Sequence, residues 1–146
     1  MDSDDVRVAI YRSFLETGRP PMPADLAADE GVPLAEVEAA LHELADAGVI
    51  ALLPGTSFVW LAHPFSAATA PFRVSAAGRS WNAICIWDAL GILALAGSDG
   101  RVETRSPDCA DALEVEVSDG EIAAPDGYVA HYGIPASLWY EDVGYT

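Results

Sequence analysis

Apolar residues at the start of the chain recur at the spacing of an α-helix. Val6, Ile10 and Phe14 follow one another every four residues, which places them on one face of a helix over residues 4–17. Gly18 and the prolines after it end this helix, because glycine and proline interrupt helical backbone. The pattern therefore predicts an amphipathic first helix.

The following residues predict two more helices and a β-hairpin. A short helix over residues 23–30 is followed by a third helix that begins at Leu34 and ends at Gly48. Two apolar runs then flank a turn at residues 54–57, which is typical of a hairpin. Three helices and a hairpin predict a winged helix-turn-helix module in residues 1–62.

The second part of the chain, residues 63–146, alternates between strand-like and helical segments. Residues 63–66 and 70–71 are expected to form a loop or linker, and residues 85–96, mostly apolar and without proline, predict a buried helix. Strands are predicted, in chain order, at residues 72–74, 81–83, 101–105, 113–117, 128–132 and 143–146. The whole chain is therefore expected to have an α+β fold, with the helix-turn-helix followed by a small mixed α/β domain.

The charge of the chain limits its partners. The net charge is -16, and all seven basic residues are arginines. The first 50 residues carry eleven acidic side chains and three arginines, so the helix-turn-helix is expected to pack or dimerise and not to read DNA. No apolar run reaches the roughly 18 residues of a membrane span, and the start lacks a basic signal-peptide region. These observations favour a cytoplasmic protein whose partner is neither nucleic acid nor a membrane, and they leave a homodimer open.

One arginine is singled out by its position. Arg73 lies in a predicted strand of a chain with few cations. It is expected either to pair with a carboxylate or to orient an anionic ligand.

Candidate chemistry is concentrated at Cys85 and Asp88. Cys85 lies where a strand-like segment gives way to the apolar helix, and a helix N-terminus favours the thiolate that attacks electrophiles and binds soft metals. Asp88, three residues on, shares a helix face with Cys85, and a carboxyl in apolar surroundings can hold a proton to donate. The spacing alone leaves a second interpretation open, a core cysteine beside a capping aspartate.

Two segments resemble the alkylmercury lyase family. Residues 63–74, HPFSAATAPFRV, resemble the linker and first strand of that family, and residues 81–91, WNAICIWDALG, resemble its catalytic segment. The resemblance implies an alkylmercury-lyase-like domain in residues 63–146. It further implies that Cys85 is the first catalytic cysteine and that Asp88 protonates the departing carbon. It implies no required cofactor, with Hg(II) or another soft metal bound at Cys85 and Asp88.

The family has a second catalytic cysteine near the C-terminal end of its fold, and this sequence departs from the family at that point. That cysteine follows a segment that residues 139–146 resemble, and this sequence ends about where the cysteine would come. One interpretation is that further residues supply this second cysteine. The other is a divergent relative that binds a soft metal or small molecule without turnover, or that serves other thiol-dependent chemistry. Cys109 falls where the family often has a structural cysteine, and it substitutes only if the fold brings it to Cys85.

Overall fold

The computed structural model describes residues 2–139 and residue 141. The chain divides into two compact units, Met1–Ala68 and Thr69–Thr146. Within the described residues, no helix is both long enough and apolar enough to pass through a membrane.

From residue 2 onward, the first unit forms three helices and three short strands. In chain order they are α1 (Ser3–Thr17), α2 (Pro23–Glu30), α3 (Leu34–Asp46), β1 (Ala51–Leu52), β2 (Val59–Ala62) and β3 (Phe65–Ser66). The helices and the antiparallel hairpin of β1 and β2 confirm the predicted elements. The apolar stripe of α1 is fully buried, and the ring of Phe14 stacks on that of Phe65 with centroids 5.0 Å apart.

The prediction of a loop at residues 63–66 was wrong at its end. Phe65 and Ser66 form β3, which pairs antiparallel with β2 through Leu61 and Ala62. Phe65 and Ser66 are both buried. A two-residue strand has no periodicity of its own, so its conformation is set by pairing with a strand that comes earlier in the chain.

The described residues of the second unit form five strands, one α-helix and one short 3-10 helix. In chain order they are β4 (Phe72–Ala76), β5 (Arg79–Ala83), α4 (Ile86–Ala96), β6 (Gly100–Arg105), β7 (Ala112–Ser118), β8 (Glu121–Ala123) and the 3-10 helix (Ala136–Leu138). The strands are antiparallel in the order β5-β4-β6-β7-β8. Helix α4 packs on β4, β5 and β6. The expected α+β architecture is confirmed.

One face of this sheet is buried beneath α4. The register aligns Trp81, Val74 and Val102 across β5, β4 and β6, and all three are buried. Gly100 lies on the same face, where an added Cβ would come 2.6 Å from the Leu93 side chain and 2.5 Å from the Ser75 carbonyl oxygen. Only glycine fits this approach of α4 to the sheet, so Gly100 fixes the height of the helix above the strands.

Helix α4 is less buried than its composition predicts. Ala89, Ile92 and Leu93 face the sheet and are buried. On the other side of the helix, Trp87 is 69% exposed and Leu95 is 54% exposed. The prediction of a wholly buried helix was therefore wrong for its outer face. Apolar residues occur on all sides of this helix, so the sequence pattern alone does not show which side is covered.

The strand predicted at residues 128–132 was also wrong. These residues form no strand, and they follow a turn at residues 126–127. Tyr128 and Tyr132 gave the segment a strand-like composition, but it pairs with none of the strands in the described part of the chain. The strand predicted at residues 143–146 lies outside the described residues.

Candidate functional site

Cys85 caps the N-terminus of α4. Its backbone is extended, with φ −142° and ψ 169°, and its sulfur accepts a hydrogen bond from the backbone N–H of Asp88 at 3.3 Å. The backbone N–H of Trp87 also donates toward this sulfur. A cysteine sulfur thus takes the place that a serine or aspartate oxygen holds in common helix caps. The cap fixes the position of the sulfur at the positive end of the helix dipole.

Asp88 contacts the same sulfur with its side chain. Cys85 Sγ lies 3.3 Å from Asp88 Oδ2, a distance at which the thiol donates a hydrogen bond to the carboxylate. Asp88 is only 8% exposed, whereas Cys85 is half-buried. The structure therefore brings together the two residues that the sequence singled out, with the thiol of Cys85 donating to the carboxylate of Asp88.

The expectation that the helix end favours the thiolate of Cys85 holds for the direction of that effect, but burial dominates the pKa of this thiol. The pKa of the Cys85 thiol is raised from 9.0 to about 11, first by burial and then by the negative charge and the hydrogen bond of the Asp88 carboxylate. The backbone N–H groups of Asp88 and Trp87 lower this pKa, but by less. Desolvation of a charged group outweighs the helix-end effect here. At neutral pH the sulfur therefore carries its proton.

Tyr132 is a neighbour of this pair that the sequence did not reveal. Burial raises the pKa of its hydroxyl, and the negative charges of Cys85 and Asp88 raise it further. Electrostatic influence falls with distance, so Tyr132 belongs to the surroundings of the pair. Its ring contacts Trp139 at a centroid distance of 5.8 Å. Nothing in the sequence marks one tyrosine in an irregular segment as a neighbour of a distant cysteine.

Cys109 lies elsewhere, in the turn between β6 and β7. It is a free, exposed thiol. Its neighbour Asp108 accepts a hydrogen bond from the Ser106 hydroxyl, which lowers the pKa of the Asp108 carboxyl, and the Cys109 side chain lowers that pKa further. Tyr128 donates to Asp111 at 3.1 Å, and this bond is the main cause that raises the pKa of Tyr128 to about 12.

The chemistry available at the start of α4 is that of one thiol and one carboxyl. Among the residues that the structure describes, no three His, Cys, Asp or Glu side chains form a group that could hold a metal ion. A resident metal centre of the zinc type, with four protein ligands, therefore has no support in this part of the chain. A thiol with an adjacent carboxyl suits a soft electrophile that forms one bond to sulfur while the carboxyl manages the proton.

Comparison with known proteins bears on the fold and on the family of the chain. No curated protein matches the chain. A solved structure described as the mercury-bound form of MerB2 has the same fold, with a TM-score of 0.63 and 18% identity, over 83% of this chain and 57% of that chain. This chain thus spans 57% of the length of that relative. The family model of MerB, the alkylmercury lyase, matches residues 65–146, which includes β3, the sheet of the second unit and α4. The chain therefore belongs to the alkylmercury lyase family.

Proposed function

We propose that this chain cleaves carbon–mercury bonds by protonolysis, with Cys85 as the sulfur ligand and Asp88 as the proton carrier. The observation that carries the proposal is the 3.3 Å contact between Cys85 Sγ and Asp88 Oδ2 at the N-terminus of α4. Family membership supports the reaction class. The geometry supports the two roles.

In the first step, an organomercury cation binds the sulfur of Cys85. A sulfur–mercury bond forms, the sulfur–hydrogen bond breaks, and the proton passes to Asp88 Oδ2. The raised pKa of Cys85 keeps the proton on sulfur until the metal arrives, and the soft Hg(II) centre replaces it because soft metals prefer thiolate ligands. The products of this step are a sulfur-bound organomercurial and a protonated Asp88.

In the second step, protonated Asp88 delivers the proton to the carbon bound to mercury. The carbon–mercury bond breaks, the hydrocarbon leaves, and mercury stays on Cys85 with the Asp88 carboxylate restored beside it. Asp88 is 8% exposed, so the proton that it receives is shielded from exchange with bulk water. General acid catalysis by a positioned side chain contributes about 10²–10⁴-fold to a rate.

A second candidate function is stoichiometric binding of a soft metal or organomercurial without turnover. It is favoured by the single thiol at the start of α4, since the other cysteine of the sequence, Cys109, lies in the turn between β6 and β7. One thiolate holds Hg(II) less tightly than two. Recruitment to other thiol-dependent chemistry would use the same pair on the same fold.

For residues 1–62 we propose a winged helix-turn-helix that packs or dimerises and does not read DNA. Helices α1 to α3 and the hairpin of β1 and β2 support this proposal. Helix α3 presents Glu36, Glu38 and Glu43 where a DNA-reading helix offers basic or amide side chains. A cytoplasmic location belongs to the same proposal.

The test is release of hydrocarbon from an organomercurial. The protein is incubated with phenylmercury and an excess of external thiol, and benzene is measured by gas chromatography. We expect release by the wild type, none above background by Cys85→Ser, and a rate within about twofold of wild type for the control Cys109→Ser.

Undiminished release by Cys85→Ser contradicts the mechanism. A one-to-one phenylmercury complex at Cys85 that releases no benzene contradicts catalysis and supports the binding function. Native mass spectrometry distinguishes these two outcomes.

A further inference from the structure

The second unit has few basic residues, and the strand register sets their positions in the sheet. Residues 69–146 carry twelve acidic side chains, four arginines and one histidine. Side chains alternate between the two faces of a strand, and the face beneath α4 holds the buried Val74 and Val102. The register therefore shows which arginines lie on the same side of the sheet as α4.

Three of the four arginines, Arg73, Arg101 and Arg105, lie on the open face of the sheet. Each is an odd number of residues from Val74 or Val102 in the same strand, so its side chain leaves the strand on the opposite face. The sheet itself separates these three guanidinium groups from α4.

Contacts on the open face account for these three arginines. Arg73 lies opposite Glu103 in the register, and Arg101 lies opposite Glu116. Arg105 donates to a backbone carbonyl oxygen in the turn after β6, at 3.0 Å. For Arg73, the register thus favours a carboxylate partner within the sheet over an anionic ligand.

The fourth arginine, Arg79, lies on the covered face but far from Cys85. It begins β5, whereas Cys85 follows the end of that strand at Ala83. Four residues of strand, about 13 Å, separate the Cα atoms of Arg79 and Ala83. Among the described residues of the second unit, no arginine on the α4 side therefore lies at the end of the sheet where Cys85 meets Asp88.

The charges of the second unit make the electrostatic potential around the pair negative. The backbone N–H groups of Trp87 and Asp88, at the positive end of α4, already donate to the Cys85 sulfur. The pKa of Tyr132 is raised first by burial and then by the negative charges of Cys85 and Asp88. Tyr132 is 40% exposed, so the influence of these charges extends to a side chain that solvent and ligands reach.

We propose that the site at the start of α4 takes mercurials whose organic group is uncharged or cationic, and that it discriminates against organic groups that carry an anion. Like charges repel strongly in a partly buried site, and the arginines that could offset the Asp88 charge lie on the open face or at the far end of β5. Repulsion of the wrong ligand is a common source of specificity. The inference rests on the proposed role of Cys85 as the sulfur ligand and deepens it, because it names the substrates that reach this sulfur.

The test compares phenylmercury with 4-mercuribenzoate, which adds one carboxylate to the same ring. Each is mixed by stopped flow with the full chain carrying Cys109→Ser, and the ultraviolet absorbance of the sulfur–mercury bond gives the rate of binding at Cys85. The pH is 8, where histidine adds no positive charge. Each rate is divided by the rate of the same mercurial with cysteine amide, which removes the intrinsic difference between the two. We expect 4-mercuribenzoate to be disfavoured about tenfold at low salt, and this factor to shrink as salt is added.

Two variants separate the local charge from the net charge. Asp88→Asn and Asp108→Asn each remove one negative charge, but Asp108 lies in the turn between β6 and β7. We expect Asp88→Asn to reduce the discrimination to less than about threefold, and Asp108→Asn to change it by less than about twofold. Circular dichroism checks the fold of both variants.

Equal normalised rates for the two mercurials overturn the proposal, and so does an equal loss of discrimination in the two variants. The rate of binding is measured whether or not hydrocarbon is released, so it tests the charge selectivity apart from catalysis. Binding of neither mercurial at Cys85 contradicts the proposed function itself, and this inference with it.

Discussion

The two cysteines of this chain stand beside aspartates in very different surroundings. Cys85 caps a helix, is half-buried, and has the buried Asp88 on its sulfur at 3.3 Å. Cys109 sits exposed in a turn beside Asp108, whose carboxyl is held by the Ser106 hydroxyl. Both pairs offer a thiol and a carboxyl, but only the first is removed from water.

In the proposed mechanism, it is burial, and not merely the presence of a thiol and a carboxyl, that lets the pair at the start of α4 act as a proton relay. At the start of α4, burial and the Asp88 charge raise the pKa of Cys85 to about 11. The proton therefore stays on the pair and has one acceptor at hydrogen-bond distance. In the turn, water competes for every proton, and an exposed carboxyl gives it up to solvent.

The largest expected difference between the two regions concerns catalysis by the aspartates. Asp88→Asn should lower hydrocarbon release by about 10²–10⁴-fold, because the amide cannot accept the thiol proton or deliver it to carbon. The matched control Asp108→Asn should stay within about twofold of wild type. Benzene release from phenylmercury measures both, and a similar loss in the two variants would remove the distinction drawn between the regions.

The second difference concerns the pH dependence of alkylation at Cys85. Its pKa of about 11 leaves little thiolate at pH 8, and the thiolate is the form that reacts. The rate of carbamidomethylation of Cys85 by iodoacetamide should therefore rise about tenfold per pH unit, or about 100-fold from pH 8 to pH 10. Peptide mass spectrometry resolves Cys85 from Cys109. A rate at Cys85 that levels off below pH 9 contradicts the prediction.

A smaller change is expected when the charge of Asp88 is removed. The carboxylate of Asp88 raises the pKa of Cys85 by its charge and by its hydrogen bond, so Asp88→Asn should lower this pKa and speed alkylation at pH 8 by several-fold, up to about tenfold. Desolvation, the largest cause of the raised pKa of Cys85, remains in the variant. Asp108→Asn serves as the control. If this variant accelerates the alkylation of Cys85 equally, the cause is net charge and not the contact between Asp88 and Cys85.

The smallest effect concerns stability at high pH. The pKa of Cys85 is about 11 in the folded protein and 9.0 for an ordinary cysteine, so folding favours the protonated thiol. This contribution to the free energy of unfolding is complete below pH 9 and is lost as the pH rises through 11. Urea unfolding should show a steeper fall in stability over this window for the wild type than for Cys85→Ser. Tyrosines titrate in the same window in both proteins, so parallel curves would contradict the raised pKa.

Much of the fold followed from local sequence patterns. The apolar stripe of α1, the glycine after it, and the start of α4 at Cys85 matched the structure because spacing and helix-ending residues act within a few positions. The strands β4 and β5 flank a turn at Ala77 and Gly78 with positive φ at both residues, which fits the glycine in the sequence.

The features that the sequence did not predict depend on distant neighbours. Strand β3 exists because Phe65 and Ser66 pair with β2, and residues 128–132 lack a partner strand within the described chain. The pairing of Cys85 with Asp88 was predictable from helix geometry. The raised pKa of Cys85 was not, since it depends on how much of the sulfur the fold removes from water. The place of Tyr132 near the pair depends on the path of an irregular segment.

The central claim is that Asp88 receives the Cys85 proton when sulfur binds mercury. The most direct measurement counts the protons released to a weakly buffered indicator at pH 7 as phenylmercury binds. Two proteins are compared. The first carries Cys109→Ser, which removes the exposed thiol, and the second carries both Cys109→Ser and Asp88→Asn. The account predicts one more proton per bound mercurial from the Asp88→Asn protein, because its thiol proton has no carboxylate to accept it. Equal proton release from the two proteins would contradict the account.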